Sequence, residues 1–219
     1  MSNIREDAKN IKKEYVKSKF VEAAKSIILR DGVLNVTVRR VAEITGYSYA
    51  TIYHYFKDLN ELLLETKLSM IRDMVADGSA QTVRFEDPLE QKKQQAKLIA
   101  GFFIDNPNIF GFFYQYKMDE SNAAVMRSLE LEKAYYDGFA PFVEYGSICK
   151  ADIPAISRAI TYTVFGSITI YLSNNGLTKE EVFKDIDNTI DLLLTGRGSN
   201  ENCEIGAKKS TLQEGILND

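Results

Sequence analysis

The stretch TVRRVAEITGYSYATIYHYFK, Thr37 to Lys57, decides how the rest of this 219-residue chain is read. Thr37 offers a hydroxyl to the free amides of a first helical turn, and Val38, Val41 and Ala42 follow at helical spacing, so one face is apolar. Gly46 stands where that helix must stop, because glycine takes the left-handed backbone of a tight turn without steric cost. Ser48 caps a second helix whose buried stripe is Ile52 and Phe56, four residues apart. Ala42, Gly46 and Ile52 put a small residue at a close helix crossing, a glycine in the turn and a branched side chain in the angle. A helix-turn-helix DNA reader needs this arrangement.

Working outward, Lys12 to Asp31 reads as an amphipathic helix, with Phe20, Ala23, Ala24, Ile27 and Ile28 on one face and Asp31-Gly32 as its stop. Its outer face carries Lys12, Lys13, Lys17, Lys19 and Lys25, which serve solubility or lie beside a DNA backbone. A capping box at Asp58 to Glu61 starts a long helix that should end near Asp77-Gly78. Polar residues 78–86 read as a connecting loop. A second capping box at Asp87 to Glu90, with Pro88 at the first helical position, opens a helix to about Asp105. Pro107 to Lys117 forms a very aromatic helix. Ser121 caps another that runs to about Tyr145 and is divided by Gly138 and Pro141. Asp152 to Leu172 follows, and a third capping box, Thr178 to Glu181, opens the last helix. The fold class expected is all-α, with about nine or ten helices. Beyond Gly196 the chain is polar and without pattern, as in a disordered tail.

The net charge of −4 hides an asymmetry. Residues 1–60 carry 11 Lys and Arg against 7 Asp and Glu, and the remainder carries 16 against 24. A basic head on an acidic body suits a modular DNA reader, because only the docking surface must meet phosphates. The polar N-terminus has no secretion-signal pattern, and the best apolar run, Ala159 to Leu172, is short of the ~20 residues a membrane helix needs. Cys149 and Cys203 are the two cysteines, without a CxxC, which points to a reducing cytoplasm. His54 is the only histidine, so no His-rich metal site can form, and no metal or cofactor is expected.

With the helices laid out, the head closely resembles the DNA-binding head of the TetR family of transcriptional repressors. The shared features are the helix ending Asp31-Gly32, then Thr37-Val38-Arg39, Val41-Ala42, Gly46-Tyr47-Ser48 and, above all, Thr51 to Lys57 followed by Glu61-Leu62-Leu63. The resemblance covers about a quarter of the chain. It implies a DNA-binding helix-turn-helix domain over 1–57, a ligand-binding and dimerisation domain over 58–196, and the tail over 197–219. It implies a homodimer on a palindromic double-stranded operator, paired through helices 153–173 and 179–195. The family's DNA contacts map onto Thr37, Arg39, Ser48, Tyr49, Thr51, Tyr53, His54 and Lys57, with Tyr55 a further candidate. Leu59 departs from the pattern, since the family usually carries a phosphate-binding lysine there, so Lys57 or the first-helix lysines must compensate.

The side chains limit the chemistry. Arg39 is best able to grip a guanine edge with two hydrogen bonds, Tyr49 sits at the tip of the second helix, the Thr51 hydroxyl suits phosphate oxygens, and Tyr53 and Tyr55 either do the same or are partly buried in the head's core. In the body, Phe102, Phe103, Phe110, Phe113, Tyr114, Tyr116, Tyr135, Phe139 and Tyr162 either fill a core or line a cavity for a small apolar or aromatic effector. Asp119, Glu120, Glu130 and Glu132 either are solvated or favour a cationic one. Thr163, Gly166, Ser167 and Thr169 permit close helix approach at a dimer interface. The function expected is a repressor released by its effector. The alternatives are an unregulated dimeric DNA-binding protein or an enzyme acting on a hydrophobic substrate. With one histidine, no GxSxG and no Walker lysine, no catalytic residues are assigned.

Overall fold

The structure, a computed structural model, describes residues 2–81, 85–128 and 136–195, and among these it is built of helices and turns. Helix α1 spans Ser2–Asp31, α2 Val38–Thr45, α3 Tyr49–Tyr55, α4 Leu59–Gln81 and α5 Pro88–Asp105. Short α6, Pro107–Phe110, runs into a π turn, Gly111–Gln115. Helix α7 covers Glu120–Ser128, α8 Ala140–Glu144, α9 Ile153–Leu172 and α10 Lys179–Thr195. Residues 129–135 and the expected tail over 197–219 lie outside the described residues.

The chain divides into two compact units, one of Met1–Thr82 with Asp105–Leu129 and the other of Val83–Ile104 with Glu130–Asp219. The first unit therefore continues past residue 57, where the head was expected to stop. The reason is packing: α4 lies along α1, buries Leu62 and Leu63 completely, and is tied to it by Lys17–Glu65 at 2.8 Å and Lys25–Asp73 at 2.6 Å. Phe20, Ala24, Ile27, Val41, Ile52 and Phe56 complete this core. Asn108 on α6 donates its side-chain amide to the Leu29 carbonyl at 3.0 Å, closing the end of α1.

In the second unit, α9 and α10 pack on each other. Ile153, Ile160, Val164 and Ile168 are buried on α9, and Val182, Ile186, Ile190 and Leu194 on α10, each at helical spacing. Helix α5 joins α10 through Lys93–Asp191 at 2.7 Å and Lys97–Asp187 at 3.0 Å, two pairs one helical turn apart. The segment Lys150–Leu172 is long and apolar enough, by length and composition, to cross a membrane, which the count from Ala159 had missed. The helix begins earlier, and its Thr, Ser and Gly residues do not interrupt it. A third of its most apolar window is buried, and the core helix of a soluble protein passes the same test.

Several local expectations change. Helix α1 starts ten residues earlier than Lys12, and α4 runs through Gly78 to Gln81. The expected single helix from Pro107 to Lys117 is four α-helical residues and then the π turn, closed by Tyr116 N–H donating to the Gly111 carbonyl at 2.8 Å. That wider winding turns the Phe112 and Phe113 carbonyls to the Lys67 ammonium, 3.5 and 2.9 Å away, which replaces their missing intrahelical donors. Ser121 lies inside α7 rather than at its cap. The division at Gly138 and Pro141 holds, with a turn at the glycine and the proline in the first turn of α8.

Candidate nucleic-acid interface

The turn between α2 and α3 is held by every device the sequence offers. The Thr37 hydroxyl accepts from the Arg40 amide at 3.2 Å, and the Ser48 hydroxyl accepts from the Thr51 amide at 3.1 Å. Gly46 is left-handed at φ 72°, and its N–H closes α2 on the Ala42 carbonyl at 2.9 Å. Ile52 and Phe56 are buried, and Phe20 packs edge-on against Tyr47 with centroids 5.2 Å apart. Arg40 pairs with Asp31 and donates to the Asn35 carbonyl at 3.3 Å, which fixes the entry to α2. A short second helix is thus presented on a rigid base.

Of the predicted contacts, Thr37, Arg39, Ser48, Tyr49, Tyr53, His54 and Lys57 are exposed. Thr51 is half-buried, its hydroxyl 2.9 Å from that of Ser48. Tyr55 is half-buried against Phe20 at 5.8 Å and meets His54 edge-on at 5.4 Å, so its ring serves the head's own packing. The hydroxyls of Thr37 and Ser48 are already engaged as caps. Their places at helix N-termini still present backbone amides. Arg39 is not free either: its Nε donates to Glu43 Oε1 at 2.9 Å. That hydrogen bond and the charge of Glu43 raise the guanidinium's pKa. Glu43 was not singled out in the sequence, although its i,i+4 spacing from Arg39 was legible there.

Leu59 opens α4 and is half-buried, in keeping with its apolar character. Two of the lysines named as compensation are committed elsewhere, Lys17 to Glu65 and Lys25 to Glu22 and Asp73. Lys19 lies over the Tyr15 ring at 5.0 Å, while Lys12 and Lys13 are exposed.

The aromatic residues of the predicted cavity fall in both units. In the first, Phe110 is buried and 5.3 Å from the exposed Tyr114, while Phe113 and Tyr116 are half-buried beside Phe112. Lys67, 6% exposed, stands over the Phe112 and Phe113 rings, and burial lowers its pKa to about 8. In the second unit, Phe102 and Phe103 meet at 5.3 Å, Phe103 reaches Phe165 at 6.1 Å, and Tyr162 is 67% exposed on α9. Phe139 is buried with the Lys92 ammonium 3.8 Å above its ring, and burial lowers the Lys92 pKa to about 8. Tyr135 lies outside the described residues. A cleft of about 560 Å³ opens between Asp31–Asn35 and the π turn, and of the predicted pocket residues only Tyr116 lines it.

A capped helix-turn-helix head continued by a helical body defines the class: an all-helical protein with an exposed reading helix. The family model for bacterial regulatory proteins of the tetR family matches residues 20–66, from the C-terminal part of α1 through α2 and α3 to the start of α4. The chain is thus similar to the TetR family over its head. Over 71 residues it is 41% identical to the HTH-type transcriptional regulator BetI of Agrobacterium fabrum, a match covering 32% of this chain and 34% of that protein. The chain thus spans about a third of the length of the curated relatives it matches. Among solved structures it is similar in fold to RolR in complex with resorcinol, with a TM-score of 0.65, 17% identity and coverage of 86% of this chain and 91% of that one. It is also similar to FadR from Bacillus subtilis in complex with stearoyl-CoA, with a TM-score of 0.63, 16% identity and coverage of 82% and 98%.

Proposed function

We propose that the protein is a dimeric transcriptional repressor that binds a palindromic operator and leaves it when a small effector occupies the body. The observation that carries this reading is the exposed face made by Arg39, Tyr49, Tyr53, His54 and Lys57 on a capped, rigid head. Thr37, Ser48 and Thr51 add helix N-terminal amides for phosphates. Residues 1–57 act as the reading domain and 58–196 as the sensing and pairing domain, although α4 packs with the head. That packing supports the reading, because α4 is then the element that must carry a change in the body to the DNA.

Pairing runs through α9 and α10, which leave Tyr162, Ile170 and Leu192 exposed at 67, 46 and 74%. A second copy would cover them. The effector is apolar or aromatic, as the rings of residues 102–116 and 139 favour. The resorcinol of RolR and the stearoyl-CoA of FadR are ligands of those two proteins and agree with an apolar or aromatic site in this fold. The site of action is the cytoplasm, where the operator is.

Footprinting on the DNA upstream of its own coding sequence tests the reading. Two protected half-sites about one helical turn apart are expected, and no protected palindrome overturns it. Native mass spectrometry of the purified protein then separates a regulator, which retains or takes up a ligand, from a dimer that binds DNA alone.

A further inference from the structure

Glu43 is exposed on α2 one helical turn after Arg39, and the head's core does not use it. Its carboxylate accepts the Arg39 Nε–H at 2.9 Å, with the two side chains 57 and 78% exposed. The guanidinium is therefore held along α2 instead of reaching outward. An exposed i,i+4 pair contributes little to stability and is readily exchanged for better partners. Its position matters more than its strength, because Arg39 is the side chain in the head best suited to reading a base.

We propose that Glu43 determines specificity by positioning Arg39 and penalising any DNA that does not repay the loss of their pair. The proposal rests on the DNA-binding reading. Toward the phosphate backbone at large, the pair is neutral and the carboxylate repels, so Arg39 adds nothing to sequence-independent binding. On a matching sequence the guanidinium exchanges one carboxylate for the O6 and N7 acceptors of guanine. Specificity is a difference of affinities, and Glu43 acts mainly on the wrong partner.

The test uses the full chain and two probes: the duplex that the wild-type protein selects from a random pool, and a shuffled duplex of equal length and composition. Glu43→Gln should bind the shuffled duplex roughly three- to tenfold more tightly with a steeper salt dependence, as one repulsive charge is removed and Arg39 is freed for phosphate. It should gain less on the selected duplex, so the ratio of affinities falls. Glu43→Asp keeps the charge but shortens the reach to Arg39, and should lower the ratio without steepening the salt dependence. Adding Glu43→Gln to Arg39→Ala should leave the ratio where Arg39→Ala alone puts it. The proposal is overturned if Glu43→Gln tightens both duplexes equally, or if the ratio falls as far when Arg39 is absent. A wild-type protein that enriches no sequence from the pool overturns the DNA-binding reading itself, before any variant is compared.

Discussion

Arg39 and Lys92 show how differently two cations can be held in one chain. Arg39 is exposed and only loosely held, so its replacement should cost recognition and not folding. Arg39→Ala is expected to weaken operator binding by ~1–3 kcal/mol per half-site while the thermal midpoint stays within a degree or so, read by fluorescence anisotropy and circular dichroism. Lys92 is 3% exposed, and burial pulls its pKa from 10.5 down to about 8. Between those two values the unfolded chain holds the proton and the folded chain does not, so this group's contribution to stability improves as pH rises from about 8 toward 10.5. Below that window both states are protonated and the cost of burying the charge is constant. Urea unfolding at pH 7.5 and 9.5 should therefore show wild type gaining on Lys92→Met. An unchanged difference would mean that the ammonium is not desolvated.

At the scale of elements, the reading helix is short and depends on its ends. α3 has seven residues, too few to persist on intrinsic propensity, so its N-cap and the packing of Ile52 hold it. Ser48→Ala should destabilise the chain by about 1 kcal/mol, measured by chemical denaturation, and should weaken DNA binding by a larger factor than the lost stability alone implies. Gly46→Ala isolates the backbone: no atom lies within 4 Å of the added Cβ, so a loss of about 1–2 kcal/mol would come from the positive φ alone. In the body, Thr178 and Glu181 form a complete capping box at 2.8 and 3.2 Å. At Asp87 only half of one forms, because Glu90 turns to Lys93.

For the whole molecule, the pairing proposed through α9 and α10 is what a measurement of assembly tests. Leu192, the most exposed large apolar residue of α10, should be covered in a dimer. Leu192→Glu is expected to shift the protein toward monomer in sedimentation velocity and to weaken operator binding by more than tenfold, since two heads then no longer bind as one unit. Retention of the wild-type sedimentation coefficient would place the dimer interface elsewhere.

Much of this was open to reading because local chemistry fixes it. Thr37, Gly46 and Ser48 each need only their neighbours to act as cap, stop and cap, and the stripe of Phe20, Ala24 and Ile27 states its own helix. The all-α fold and the exposed side of α3 follow from such residues, as far as side-chain type and spacing determine them. Contacts far apart in the chain were decided only by the tertiary structure. The lysines of α1 looked alike until Glu65 and Asp73 on α4 claimed Lys17 and Lys25. Pro107 to Lys117 looked like one helix until Lys67, more than forty residues earlier, met the carbonyls that a π turn leaves free. The aromatic residues shared a stretch of sequence but not an environment: Phe103 and Phe139 are buried, whereas Tyr114 and Tyr162 face outward. Periodicity reports which face of a helix is apolar, and only the packing of one helix on another determines what that face, or a charge beside it, meets.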